Sequence, residues 1–284
     1  GCKEGKCYSE IKKKIIKDCG EDYSGEWVKF CGEGKIKGDI PEGYISYLKF
    51  DFNANDKTGT NNGEIKGGAR FIRDIERGNV LKLDGIDDFV KIPLNKVSKE
   101  KGSIGIWVNV KSQNYIENER FIFGETTEPV WNNRIQLYFP KYSKKIAIGL
   151  GDKHQRALNI REIRENKWNH FVLTWNKGKY ILYINSYKAA EGSYSGLNDL
   201  HDFAIIGANL GREGDVNLFL PSLIDDFIIY NRALNEDEVK ELYNSQKPKG
   251  GNVYRRKIFH DVGCRNINKV GCFDFFIGSP TVDF

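Results

Sequence analysis

The sequence predicts an all-β protein: one antiparallel sandwich of two sheets, with a small Cys-rich helical head before it and a strand-rich tail after it. Three observations lead there. Between Tyr44 and Tyr230, β-branched and aromatic runs recur roughly every 8–12 residues with Gly, Pro, Asn and Asp between them, the punctuation of a sandwich. Hydrophobic residues make up 39% and aromatics 13% of the 284 residues, enough apolar surface for one large core. All six cysteines fall outside that middle region, in the two segments least able to build a core of their own.

Residues 1–43 are the Cys-rich segment. Ser9 is placed to cap a helix in which Ile11, Ile15 and Cys19 share one face, and Gly20 would end it. Trp27, Val28 and Phe30 read as a short extended piece. Gly32, Gly34, Gly38, Pro41 and Gly43 then punctuate the passage into the sandwich.

Residues 44–246 carry the strands. The pattern marks Ile45–Phe52, Val80–Leu83, Phe89–Ile92, Ser103–Val110, Arg120–Phe123, Arg134–Phe139, Lys145–Leu150, Asn169–Trp175 and Tyr180–Asn185. Two hairpins turn through Pro140-Lys141-Tyr142-Ser143 and Asn176-Lys177-Gly178-Lys179, residues that bend a chain for steric reasons. After a last strand, Leu223–Tyr230, Asn235 with Glu238 forms a capping box. The helix it opens runs to about Asn244, with Val239, Leu242 and Tyr243 on its apolar side. Residues 247–284 begin as a linker and return to strand-like text at Phe273, Phe275, Phe276 and Ile277; this tail is expected to pack on the protein or on a neighbour.

Charge and cysteine usage narrow the classes. The net charge of +5 is mild and mixed in sign, and the runs Lys12-Lys13-Lys14 and Arg255-Arg256-Lys257 read as solvated faces, so nucleic-acid binding is not indicated. No apolar run reaches the ~18 residues of a membrane span. Methionine is absent, which is expected of a processed chain whose precursor is longer. Zinc would call for paired short spacings such as C-x2-C, which do not occur. Cys2, Cys7, Cys19, Cys31, Cys264 and Cys272 are therefore read as disulfide formers, which places the chain outside the cell, secreted or on the surface. Connectivity stays open: Cys264 can pair with Cys272, or one of them can tie the tail to the head.

Four stretches, in order, resemble the laminin-G-like jelly-roll family of the concanavalin A-like superfamily. They are Leu81-Lys82-Leu83-Asp84-Gly85-Ile86-Asp87-Asp88-Phe89-Val90-Lys91-Ile92-Pro93, then Gly102-Ser103-Ile104-Gly105-Ile106-Trp107-Val108. Lys167-Trp168-Asn169-His170-Phe171-Val172-Leu173-Thr174-Trp175, continuing to Leu182-Tyr183-Ile184-Asn185, is the third. The fourth is Ile224-Asp225-Asp226-Phe227-Ile228-Ile229-Tyr230-Asn231-Arg232-Ala233-Leu234 with the capped helix. The likeness covers residues 44–245; Asp226 stands where the family usually has Glu, and Ser186 where it usually has Gly. It implies a two-sheet antiparallel jelly roll in which Trp107 and Trp168 are core and His170 is a hydrogen-bonded structural residue.

The resemblance also implies a structural Ca2+, held near the first and last strands by Asp56 with Asn61, by Asp84 with the Gly85 carbonyl, and by Asp225; the alternative is that these residues only shape turns. Glycan-cleaving relatives hold acids on alternate positions of one strand, and no such pattern occurs, so no catalytic residue is assigned. For ligand contact the loop Thr126–Asn133 stands out, with Trp131 and Asn133 joined by Tyr138, Tyr142, His154 and Arg156 on adjoining strands or turns. The expected function is non-catalytic recognition of a glycan or a surface protein. A structural subunit of a surface filament, polymerising with its own copies, is the alternative, and a glycan-cleaving enzyme ranks last.

Overall fold

The computed structural model describes residues 40–110, 118–126, 133–142, 145–158, 163–211 and 214–247, with 110 and 153–158 as backbone alone, and the backbone of five short strands nearer the ends. The chain divides into two units. One is formed by Gly1–Gly38 together with Lys249–Phe284, the other by Asp39–Pro248. Head and tail, separate in the sequence, thus belong to one unit.

In that first unit β1 (Cys2–Lys3) pairs with β2 (Lys6–Cys7), bringing Cys2 opposite Cys7 along the backbone. β3 (Ile11–Lys13), β4 (Glu26–Phe30) and, from the tail, β22 (Phe273–Ile277) form a three-stranded sheet with β4 in the middle. This corrects the sequence reading at Ile11–Lys13. There the helical spacing yields to pairing with Glu26–Val28, tertiary pairing overriding a weak local preference. Cys19, Cys31, Cys264 and Cys272 lie outside the described residues, as does the rest of the expected helix.

The second unit is the sandwich. In chain order its strands are β5 (Tyr44–Leu48), β6 (Glu64–Lys66), β7 (Arg70–Asp74), β8 (Gly78–Leu83), β9 (Phe89–Pro93), β10 (Lys101–Val110), β11 (Arg120–Thr126), β12 (Arg134–Phe139) and β13 (Ile146–Leu150). They continue as β14 (Lys153–Leu158), β15 (Trp168–Asn176), β16 (Lys179–Ile184), β17 (Tyr187–Ser193), β18 (Phe203–Ile206), β19 (Asn209–Leu210), β20 (Val216–Asn217) and β21 (Ser222–Tyr230), before helix α1 (Glu236–Gln246).

The first sheet runs β17-β16-β15-β10-β21-β8-β7, with β5 pairing the second half of β21. The second sheet runs β14-β13-β12-β11-β18-β9-β6. Alternate residues of both meet in one core: Phe123 of the second sheet stacks on Phe227 of the first at 5.8 Å, and Phe139 meets Phe171 edge-on at 6.3 Å.

The first sheet is buried on its other face as well. Helix α1 lays Val239 and Leu242 against Tyr47, Val172, Tyr183, Ile228 and Tyr230, which alternate with the core residues of β5, β15, β16 and β21. Burial on both faces explains why β21 is buried almost throughout and, apart from Ser222 and the Asp225–Asp226 doublet, apolar. The capping box forms as the sequence predicts: Asn235 accepts from the Glu238 amide at 3.0 Å, and Glu238 accepts from the Asn235 amide at 2.9 Å. The strands the sequence did not mark, β6, β7, β14 and β17 to β20, are short or lie at or near sheet edges.

Candidate functional site

At one end of the sandwich, three of the described connections converge. β9 ends where β18 begins, β10 starts opposite the end of β15, and β12 starts at Arg134 opposite Thr126. The segments 94–100, 177–178 and 194–202 form this rim, with Asn133 at its base. It holds two clefts open to solvent, of about 480 Å³ and about 540 Å³, which adjoin at Lys99 and Glu100. The first is lined by Asn95, Ser98, Asp199, His201 and Asp202 among others, the second by Lys177, Gly178, Tyr194, Ser195 and Gly196.

The rim is fastened from beneath. The Asn133 amide donates to the Asp199 carbonyl at 2.8 Å, and its oxygen accepts from the Asn198 amide at 2.8 Å. Glu125 accepts from the His201 backbone at 2.9 Å. The Trp175 indole donates to the Ser98 carbonyl at 3.3 Å; its ring leaves no room over β10 for anything but glycine, since a Cβ on Gly102 would lie 2.2 Å from it. Asn61 donates to the Asn95 carbonyl at 3.3 Å and accepts from the Asn95 amide at 3.1 Å. Across the cleft Lys99 Nζ stands 2.7 Å from Asp199 Oδ1, which raises the lysine pKa and lowers that of the acid; both are exposed, so the pair does little for stability.

The outward face of the second sheet is polar but closed. Gln136 donates to Thr126 Oγ1 at 2.8 Å and to Asn209 Oδ1 at 3.2 Å, and Asn209 donates to Asn217 at 3.0 Å. Segment 208–210 packs so tightly over Gly124 that a Cβ there would touch it at 3.0 Å. Tyr138 stacks on Phe121 at 4.5 Å. Gln136, Asn209 and Tyr138 are all buried, so these three residues support the fold.

The outer face of the first sheet holds a buried ionic cluster. A register shift in the β10–β21 ladder sets Asp226 and Phe227 against Ile106 alone, and Asp226 takes a positive φ of 48°. With Ile224 and Phe227 both in the core, the bulge turns two consecutive carboxylates outward. Arg77, at the tip of the β7–β8 hairpin, meets both: Nε lies 2.6 Å from Asp225, and Nη2 bonds Asp226. Its guanidinium lies 4.4 Å from the Trp107 ring centre and 5.2 Å from that of Trp168. Nη1 donates to the Gln246 carbonyl in the last turn of α1 at 2.9 Å.

The predicted site residues scatter over these regions. Trp131 lies outside the described residues, and His154 and Arg156 are described only as backbone on β14. Asn133 is at the rim, though buried and committed to its tethers; Tyr142 is 74% exposed, on the β12–β13 turn at the opposite end of β12. Tyr138, expected to touch ligand, is buried against Phe121.

Of the residues expected at calcium, Asp56 accepts five hydrogen bonds, from the amides of Tyr47, Thr58, Thr60 and Asn61 and from the Thr58 hydroxyl. Asp225 is held by Arg77. Asp84 does gather with acids, but with Asp87 and Asp88, their carboxylate oxygens lying within 4.8 Å of one another beside Gly85. His170 stacks on Trp107 at 4.9 Å as a core residue, yet among the described residues neither ring nitrogen has a hydrogen-bond partner. Sequence reasoning missed Arg77 and the rim residues; the Asp225-Asp226 doublet inside an apolar strand was the available signal, since two buried acids require a cation.

These features define the class. The chain belongs to the concanavalin A-like lectin/glucanases superfamily, whose laminin-G-type family model matches residues 84–240.

Among curated proteins it is 28% identical over 207 residues to botulinum neurotoxin type X of Clostridium botulinum, covering 68% of this chain and 15% of the toxin. It is 38% identical over 84 residues to paraclostridial mosquitocidal protein 1 of Paraclostridium bifermentans, covering 29% of this chain and 6% of that protein. The chain therefore spans a small part of the length of these relatives. Among solved structures it superposes on Domain 4 of AbnA, a GH43 extracellular arabinanase from Geobacillus stearothermophilus in complex with arabinotriose, with TM-score 0.58, 21% identity and coverage of 71% of this chain and 98% of that one. The binding domain of botulinum neurotoxin serotype D gives TM-score 0.56 and 19% identity, covering 72% and 52%. That of neurotoxin DC, in complex with rat synaptotagmin II, gives TM-score 0.57 and 18% identity, covering 73% and 52%.

Proposed function

We propose that this chain is a non-catalytic, extracellular binding module whose ligand is carbohydrate, held at the rim. The observation that carries the reading is the pair of adjoining clefts, within the usual volume range of ligand sites, set on loops that the core tethers from below. Their lining offers amides, hydroxyls and charges of both signs, which suits a hydroxyl-rich chain. The jelly roll of AbnA Domain 4 was solved with arabinotriose, a precedent for sugar binding on this fold. The loop carrying Trp131 leaves and rejoins the sandwich beside the clefts, at Thr126 and Asn133.

Titration of the full chain against neutral oligosaccharides, arabinotriose included, tests the reading. Saturable binding weakened at least tenfold by Asp199→Ala or Trp131→Ala supports it. A complete glycan array without a hit overturns it. A second reading, a protein receptor, draws on the neurotoxin DC complex with synaptotagmin II; capture of a protein with no sugar bound would favour it. Filament formation remains the alternative for the chain as a whole, and electron microscopy of the purified protein distinguishes particles from filaments.

Of the residues expected at calcium, Asp84 fits the ion, with Asp87 and Asp88 as hard oxygen donors beside it. A rise in melting temperature on adding Ca2+, absent in Asp84→Asn, would support that placement; no shift in the unmodified protein would end it.

A further inference from the structure

Two carboxylates and one guanidinium meet, shielded from solvent, under helix α1. The side chains of Arg77, Asp225 and Asp226 are 3%, 6% and 10% exposed, so the cluster carries one negative charge more than it can neutralise. We propose that Asp225 and Asp226 form a proton-binding site, retaining one proton between them beneath Arg77, and that losing it loosens the last turn of α1.

Among the described residues, the other groups facing the pair do not supply the missing charge. From β5, the Tyr47 hydroxyl donates to Asp226 at 2.5 Å, and burial raises its pKa far out of range, so it stays neutral. From β15, His170 is fully buried and pushed down to about 3, first by burial and then by the charge of Arg77, so it stays neutral too. From α1 come Tyr243, stacked on Trp107 at 5.3 Å, and Gln246, whose Oε1 accepts from the Trp107 indole at 3.2 Å. On the hairpin tip, Asp74 is occupied by the Trp168 indole at 3.0 Å and by the amides of Glu76 and Arg77 at 2.9 Å. Lys49, a cation near the pair, pairs with Asp51 at 3.0 Å. β10 contributes Trp107 and no charge.

Among the described residues Asp225 Oδ1 accepts no hydrogen bond, which a carboxylate avoids and a carboxylic acid tolerates. Burial first, then the charge of Asp226, pushes the Asp225 carboxyl up to about 8, against the opposing pull of Arg77; Asp226 is raised as well, again by burial. Both point the same way as the geometry.

The link to α1 is Arg77. It closes the C-terminal end of the helix through the Gln246 carbonyl, where the last turn carries no basic residue. When the second carboxylate ionises, admitting water is the available relief, and Tyr243 and Gln246 are the cover that must move.

The test uses the full chain. Infrared spectra should show a protonated-carboxyl band at pH 6 that fades by pH 9 and is missing in Asp225→Asn. The folded pKa lies above the unfolded one, so the stabilisation is present at low pH and lost as pH rises through the folded value. The folding equilibrium constant should then be roughly 100-fold larger at pH 6 than at pH 9 in the unmodified protein, beyond the change seen in Asp225→Asn. Exchange of the Lys247 amide, bonded to Tyr243 at 2.7 Å, should accelerate over the same interval more than in that variant. No infrared band at pH 6 overturns the proposal without reference to any variant, and so does an identical pH response in Asp225→Asn.

Discussion

Asp56 and the Asp225–Asp226 pair are both buried carboxylate sites, and they are built in opposite ways. Around Asp56 there are more donors than the acid needs: five hydrogen bonds converge on one carboxylate and fix the loop between β5 and β6. Burial pushes this acid up, but the Thr58 hydroxyl and the surrounding amides pull harder, and its pKa ends below the ordinary value. Around Asp225 and Asp226 there are more acceptors than donors, and both acids move up. The same residue type thus stabilises the fold when ionised in one place and when protonated in the other. What decides is the balance between burial, which pushes all three acids up, and the N–H and O–H groups that pull against it, which prevail only at Asp56.

The largest way to break this contrast is Arg77→Met. It leaves two buried acids without a cation, and the expected loss is about 4 kcal/mol at neutral pH, shrinking in acid as the carboxylates protonate. Chemical denaturation at pH 5 and pH 8 measures it. Next is Asp56→Ala, which orphans the donors of its loop; about 3 kcal/mol of stability should be lost at pH 7. Its sign with pH is reversed. A folded pKa below the unfolded one gives stability that is present at neutral pH and lost as pH falls through the folded value, so wild type and Asp56→Ala should converge in acid. The smallest is Asn235→Ala at the N-terminal end of α1, about 1 kcal/mol, with no change in the pH response if the C-terminal cluster alone sets it. A thermal scan series across pH separates these cases.

Much of the sandwich was legible in the sequence because alternation and turn residues report directly on burial. β10, β12, β13, β15, β16 and β21 stand where the pattern puts them, and the Asn235 capping box forms. Short strands such as β19 and β20 were not legible, since two residues carry no period. Ile11 was misread because its spacing from Ile15 suits a helix, while its partner Val28 lies far along the chain. The ionic cluster was hidden for a similar reason: Arg77 and Asp225 are 148 residues apart, and only a bulge makes Asp226 face the same way as Asp225. At the rim, Asn133 showed as a polar loop residue, but its tethers to Asn198 and Asp199 depend on a loop with no apolar pattern to place it.

The Trp175 indole, resting on Gly102 and bonded to the Ser98 carbonyl, has an optical consequence. Its chromophore touches the backbone of a cleft wall, while Trp107 and Trp168 flank Arg77 on the other side of the same sheet. Occupancy at the rim and proton loss under α1 should therefore perturb different indoles, and single Trp→Phe replacements would let intrinsic emission follow each event without an added label.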